Sequence, residues 1–158
     1  METVYMESTI PSCLTARRSN TEPMASRQRI TRWWWEHERP RFRVYSSIAV
    51  RAEISRGDQN AALRRLKSIA DIPELELRPE LEPLAKSIVQ LLELPPRAQM
   101  DATHVAFAIV HHMDYLLTWN CTHLANAILQ RKLFEYCAYH NLHVPVICTP
   151  DLLIQPNL

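Results

Sequence analysis

Met100–Asn126 reads MDATHVAFAIVHHMDYLLTWNCTHLAN, and the order of residue types in it decides the fold. Val105–Val110 is apolar nearly all round, as in a buried helix, and that helix carries one carboxylate, Asp101, near its start. Tyr115–Thr118 has the short apolar make-up of a buried strand. It ends in a cluster of oxygen- and nitrogen-bearing side chains, Thr118, Asn120 and His123. A buried helix followed by a buried strand that stops at polar groups is the unit of an open α/β sheet. Ligands bind there beyond the carboxyl ends of the strands.

Working outward, the same alternation recurs. Thr3–Met6 reads as strand one, with Ser8 or Thr9 able to cap a helix that carries Pro11 in its first turn and runs to about Ala16. A helix over Pro23–Glu38 is stopped by Pro40, and Phe42–Tyr45 forms strand two. A helix capped by Ser46 or Ser47 runs to Arg56 and closes on Gly57, and Asn60–Ser68 forms the next. Asp71–Leu77 is a loop ending in a short edge-like segment, and Pro79–Leu92 has good helical periodicity. Pro95-Pro96 separates that helix from Ala98–His112; Asn126–His140 is the last helix and Val144–Cys148 the last strand. The expectation is one domain over residues 1–158, a three-layer α/β/α sandwich around a mainly parallel sheet.

Composition narrows the function. The chain contains one glycine, Gly57, so neither GxGxxG nor a Walker phosphate loop can be present. The longest uncharged apolar run, Val105–Val110, is too short to span a bilayer. The N-terminal Met-Glu-Thr-Val lacks the basic and apolar regions of a secretory signal, and a cytoplasmic protein is expected. Cys13, Cys121, Cys137 and Cys148 show no metal-binding or disulfide-framework spacing and read as buried reduced thiols. Net charge is +1, yet residues 17–65 hold twelve Arg and Lys against five Asp and Glu, while residues 71–114 hold three against eight. The basic front half favours a polyanionic partner.

Oxygen-bearing groups fall at corresponding places in each unit. Glu7 follows strand one, Glu53 lies two turns into the helix after strand two, Asp101 opens the apolar helix, and Asn120 follows strand three. In a parallel sheet these ends share one edge, so the four groups can converge as ligands for Mg²⁺ or Mn²⁺. Each has a plainer explanation. Glu7 could favour a helix N-terminus, and Glu53 could pair with Arg51 or Arg56. Asp101 is hardest to explain away, because a buried carboxylate requires a partner.

The blocks VYMEST (4–9), SSIAVRAEISRGD (46–58), DATHVAFA (101–108), DYLLTWNCTHLAN (114–126) and VICTP (146–150) together resemble the PIN domain family. Within it, the chain is similar to the VapC-type ribonuclease toxins of bacterial toxin–antitoxin pairs. The resemblance implies Mg²⁺- or Mn²⁺-dependent cleavage of single-stranded RNA, restrained by a cognate antitoxin protein. It assigns Glu7, Glu53, Asp101 and Asn120 to the four catalytic, metal-holding positions, with Ser8 and Thr118 as supporting hydroxyls. Most of the family has Asp where this chain has Glu7, and commonly Asp where it has Asn120. Fewer negative charges weaken metal binding, so a catalytically weak or inactive RNA- or protein-binding module is the alternative.

Other features are set lower. Trp33-Trp34-Trp35 cannot share one surface on a helix, since successive residues point about 100° apart. One or two belong to the core and one is left for a partner, such as a second copy in a homodimer or the antitoxin. His104, one turn after Asp101, reads as a hydrogen-bonded structural histidine, with a place beside the site as the other reading. A zinc site at Cys121 and His123 is disfavoured, and Asp114 reads as a turn or cap residue.

Overall fold

The computed structural model describes residues 1–156. Four strands, β1 (Thr3–Met6), β2 (Arg43–Tyr45), β3 (Tyr115–Leu117) and β4 (Val146–Cys148), form an all-parallel sheet in the order β2-β1-β3-β4. The helices are α1 (Thr9–Thr15), α2 (Met24–Trp33), α3 (Ile48–Ile54), α4 (Gln59–Ser68), α5 (Leu81–Leu91), α6 (Gln99–Val110) and α7 (Ala127–Tyr139). Every residue of β1 is buried, as befits a central strand covered on both faces.

The chain steps from β1 sideways to β2, then crosses back over β1 to β3 and on to β4. Right-handed crossovers put the two directions of travel on opposite faces of the sheet. Accordingly α1 packs on α2, while α5 packs on α6 and α7, giving the three layers. The reversal of direction opens a switch point between β1 and β3, where an α/β sheet has its crevice.

The core is continuous from Tyr5 and Met6 through Val50, Ile54 and Ile88 to Phe107, Leu116 and Leu133. Helix α6 is buried over most of its length, including Ala102 and His104–Ile109. Beyond β2, Glu74 makes a parallel bridge to Ser46, which is the edge-like segment the sequence suggests.

Several boundaries move. The helix expected over Pro23–Glu38 is α-helical only to Trp33 and continues as a π-turn, Trp34–Glu38, with a 3₁₀ turn at Arg39–Arg41 before the strand. The tryptophans point different ways, as successive helical residues do: Trp34 is fully buried and donates its indole N–H to the Leu153 carbonyl at 2.9 Å, whereas Trp33 is 43% exposed. Trp35 packs partly on the core under the Arg39 guanidinium. Helix α3 stops at Ile54, and Gly57 adopts φ +81° in the turn before Asp58, whose side chain caps α4. Cys13, Cys137 and Cys148 are buried, and burial pushes the last two thiols up to about 11 and about 12, but Cys121 is exposed rather than buried. No helix among the described residues is long and apolar enough to cross a membrane.

Candidate metal centre

At the switch point β1 ends and Glu7 follows, its amide donating to the Leu117 carbonyl at 3.1 Å and so extending the β1–β3 ladder. The Glu7 side chain is 4% exposed and held by donors on both sides of the crevice. The Thr9 amide and hydroxyl donate to its two oxygens at 3.0 and 2.6 Å, and the Thr118 hydroxyl donates from the end of β3. Ser8 occupies the N-cap position of α1 without a capping bond, and its hydroxyl donates to Glu53 at 2.6 Å. The hydroxyls read from the sequence as helix caps are thus spent on carboxylates. The two supporting positions, Ser8 and Thr118, each hold one acidic group.

Glu53 reaches the same crevice from α3. It pairs with neither Arg51 nor Arg56; Arg51 instead pairs with Glu74. Its partner is His104 of α6, whose Nε2 contacts Oε1. Burial raises the Glu53 pKa, but hydrogen bonds from His104 and Ser8 outweigh it, and the net shift is downward. His104 is fully buried, and its Nδ1 lies 2.7 Å from the Tyr5 hydroxyl, itself 2.7 Å from Ser47 Oγ. Burial, with Glu7 and Glu53 nearby, lifts the Tyr5 phenol well above its usual range, so it stays neutral. Ligand atoms of Glu7, Glu53 and His104 all lie within 4.8 Å of one another.

Asp101 sits in the first turn of α6, where the helix dipole favours a negative charge, with a side chain 15% exposed. Burial, reinforced by the charge of Glu7, raises its pKa against the opposing pull of His104, His123 and Asn120. His123 Nδ1 stands 3.4 Å from Asp101 Oδ2, and the Asn120 amino group donates to the same oxygen at 3.1 Å. The Asn120 oxygen accepts the Thr122 and His123 amides at 3.2 and 3.0 Å, which fixes the amide's orientation. Asn120 therefore turns its nitrogen, not its oxygen, toward the crevice and steadies Asp101.

Glu7 and Glu53 are brought together, with Asp101 close enough to Glu7 for their charges to interact. Among the described residues no Arg or Lys forms an ion pair with any of the three. Partly buried carboxylates gathered without an arginine or lysine partner suit a hard divalent cation, so this donor set fits Mg²⁺ or Mn²⁺. His104 is the hydrogen-bonded buried histidine that the sequence suggests, and it also lies beside the carboxylates. Its spacing three after Asp101 put it on the same helix face, but its contacts with Tyr5 and Glu53 are tertiary. Asp114, read as a turn residue, ties strand ends together by accepting the Thr3 amide and hydroxyl at 2.8 and 3.1 Å.

Beside the carboxylates lies a cleft of about 590 Å³ lined by Glu7, Glu53, Arg27, Arg65 and Trp119, among others. The Trp119 indole N–H donates to Thr31 at 2.8 Å, and the Arg27 guanidinium lies 5.2 Å over its ring. Arg65 donates to the Ile54 and Arg56 carbonyls, closing the end of α3. The cleft is therefore lined by acidic side chains and by cations with an aromatic ring.

No family model and no curated protein matches the chain. Among solved structures it is similar to VapBC2 from Rickettsia felis, determined bound to a DNA fragment from their promoter. The TM-score is 0.52 at 10% sequence identity, covering 93% of this chain and 98% of that one. At this identity the likeness is one of fold, and it agrees with the PIN-like architecture of the parallel sheet and its helical layers.

Proposed function

We propose that the chain is a metal-dependent endoribonuclease acting on phosphodiester bonds of single-stranded RNA. The observation that carries this reading is the gathering of Glu7, Glu53 and Asp101 at the switch point with no arginine or lysine paired to them. Glu7, Glu53 and Asp101 hold the ion, and Asn120 orients Asp101. Mg²⁺ or Mn²⁺, when bound, polarises a phosphoryl group and lowers the pKa of a water. Ser8, Thr9 and Thr118 fix the carboxylates, so that no side chain has to reorganise when substrate arrives. Arg27 and the Trp119 ring line the cleft next to them and suit a nucleic-acid strand, through phosphate attraction and base stacking. By analogy with the VapBC2 pair, a small cytoplasmic antitoxin restrains the activity, and the exposed face of Trp33 contributes to the contact with it or with a second copy.

The test is Mn²⁺-dependent cleavage of a mixed RNA substrate by the purified chain, beside Asp101→Ala. Cleavage that vanishes in the folded variant supports the reading; equal cleavage by both removes it. A second reading is a binding module without useful catalysis. It is favoured by Asn120, whose oxygen is already taken by two backbone amides and leaves only three carboxylates. RNA binding without cleavage, and no change in melting with Mn²⁺, would select it.

A further inference from the structure

We propose that His104 supplies a nitrogen ligand to the metal centre, so that the site takes Mn²⁺ in preference to Mg²⁺. The inference rests on the metal-centre reading and sharpens it. His104 Nε2 already shares the crevice with the carboxylates of Glu7 and Glu53, at the spacing from which three side chains can share one ion. The other ring nitrogen is held by a buried chain. Nδ1 lies 2.7 Å from the Tyr5 hydroxyl and that hydroxyl 2.7 Å from Ser47 Oγ. In the metal-free chain Nε2–H donates to Glu53; an ion bound there would take the place of that proton, with Nδ1–H then donating to Tyr5 and Tyr5 to Ser47. A hydrogen bond on the distal nitrogen is what fixes tautomer and ring plane in metal-bound histidines.

The ring has little freedom to do otherwise. Tyr5 and Phe107 stack with centroids 6.0 Å apart, His104 packs against the same tyrosine at 5.7 Å, and none of the histidine side chain is exposed. Mg²⁺ is a hard ion that keeps to oxygen, whereas imidazole nitrogen favours the transition ions. One nitrogen in an otherwise carboxylate set therefore separates Mn²⁺ from Mg²⁺. His123, the other histidine at the site, contacts Asp101 and is partly exposed, and it lies outside the Glu7–Glu53–His104 group.

The experiment is pulsed electron paramagnetic resonance on the Mn²⁺-loaded full chain, reading ¹⁴N modulation from a coordinated imidazole. The expected result is a ¹⁴N signal that disappears on labelling histidine with ¹⁵N, survives His123→Asn and is absent from His104→Gln. Calorimetry on the wild type should give Mn²⁺ about tenfold or more tighter than Mg²⁺, with the ratio collapsing in His104→Gln. The labelled wild type and the His123→Asn protein carry the test even if the buried substitution prevents folding. Bound Mn²⁺ without ¹⁴N modulation would overturn the inference while leaving the metal centre standing, with His104 reduced to a hydrogen-bond donor for Glu53. Modulation abolished by His123→Asn would overturn it equally. If no Mn²⁺ binds, the metal-centre reading itself falls and takes this one with it.

Discussion

Asp101 is held where ionisation is unfavourable, since burial and the charge of Glu7 both raise its pKa. A carboxyl with a higher pKa folded than unfolded takes up a proton on folding. Its contribution is therefore most favourable below the unfolded value and is lost as pH rises through the folded one. Glu53, shifted downward, runs the opposite way: its contribution is present at neutral pH and lost as pH falls through its folded pKa. Asp101→Asn should consequently stabilise the metal-free protein at neutral pH by about 1 kcal/mol, or about 3 °C in Tm. The same substitution should abolish any rise in Tm caused by Mn²⁺. Thermal melting from pH 5 to pH 8, with and without the ion, reads both effects; a lower Tm in the variant would mean that the His123 and Asn120 contacts outweigh the repulsion. Thr118→Val removes a donor to buried Glu7 while keeping the side chain's shape, and should cost about 1–3 kcal/mol in urea denaturation.

Among the elements, the three tryptophans at the junction of α2 and the π-turn have different fates. Trp34→Ala should cost about 3–5 kcal/mol, since it empties a fully buried site and strands the Leu153 carbonyl. Trp33→Ala should stay within about 0.5 kcal/mol. Gly57→Ala should cost about 1 kcal/mol from its positive φ alone, because a Cβ there meets nothing within 4 Å. Chemical denaturation of the three variants checks the order. All four strands were legible in the sequence, because each is a short apolar run closed by polar or proline residues, and alternation with helices implied the parallel sheet. Boundaries slipped where hydrogen bonding departs from pattern: periodicity does not distinguish the π-turn from more α-helix, and Ser8 and Thr9 turned from capping to binding carboxylates. The acidic residues could be picked out by their placement after strands and at a helix start. The histidine between them could not, since its partner Tyr5 lies 99 residues away.

For the whole molecule, the uneven distribution of charge has a use at the cleft, where Arg27 and Arg65 come from the basic front half and stand beside Glu7 and Glu53. Binding to a noncleavable single-stranded RNA analogue should weaken steeply with salt, and Arg27→Ala should flatten that slope by roughly one phosphate contact. A salt-independent affinity would remove phosphate recognition from the account. Mn²⁺ at about a hundred times its Kd should raise global stability by about 2.7 kcal/mol if it binds only the folded chain.

Strand β1 precedes the other three strands in the sequence and is an interior strand of the sheet, pairing with β2 on one side and with β3 on the other. Glu7 waits for Thr118, and Glu53 waits for His104. During translation, a nascent chain that has not yet exposed Leu117 outside the ribosome has no switch point and no assembled crevice. The order of synthesis thus places completion of the crevice after Leu117 and Thr118 have been made. The proposed activity would then be withheld from the ribosome and message that are producing the chain until β3 has emerged.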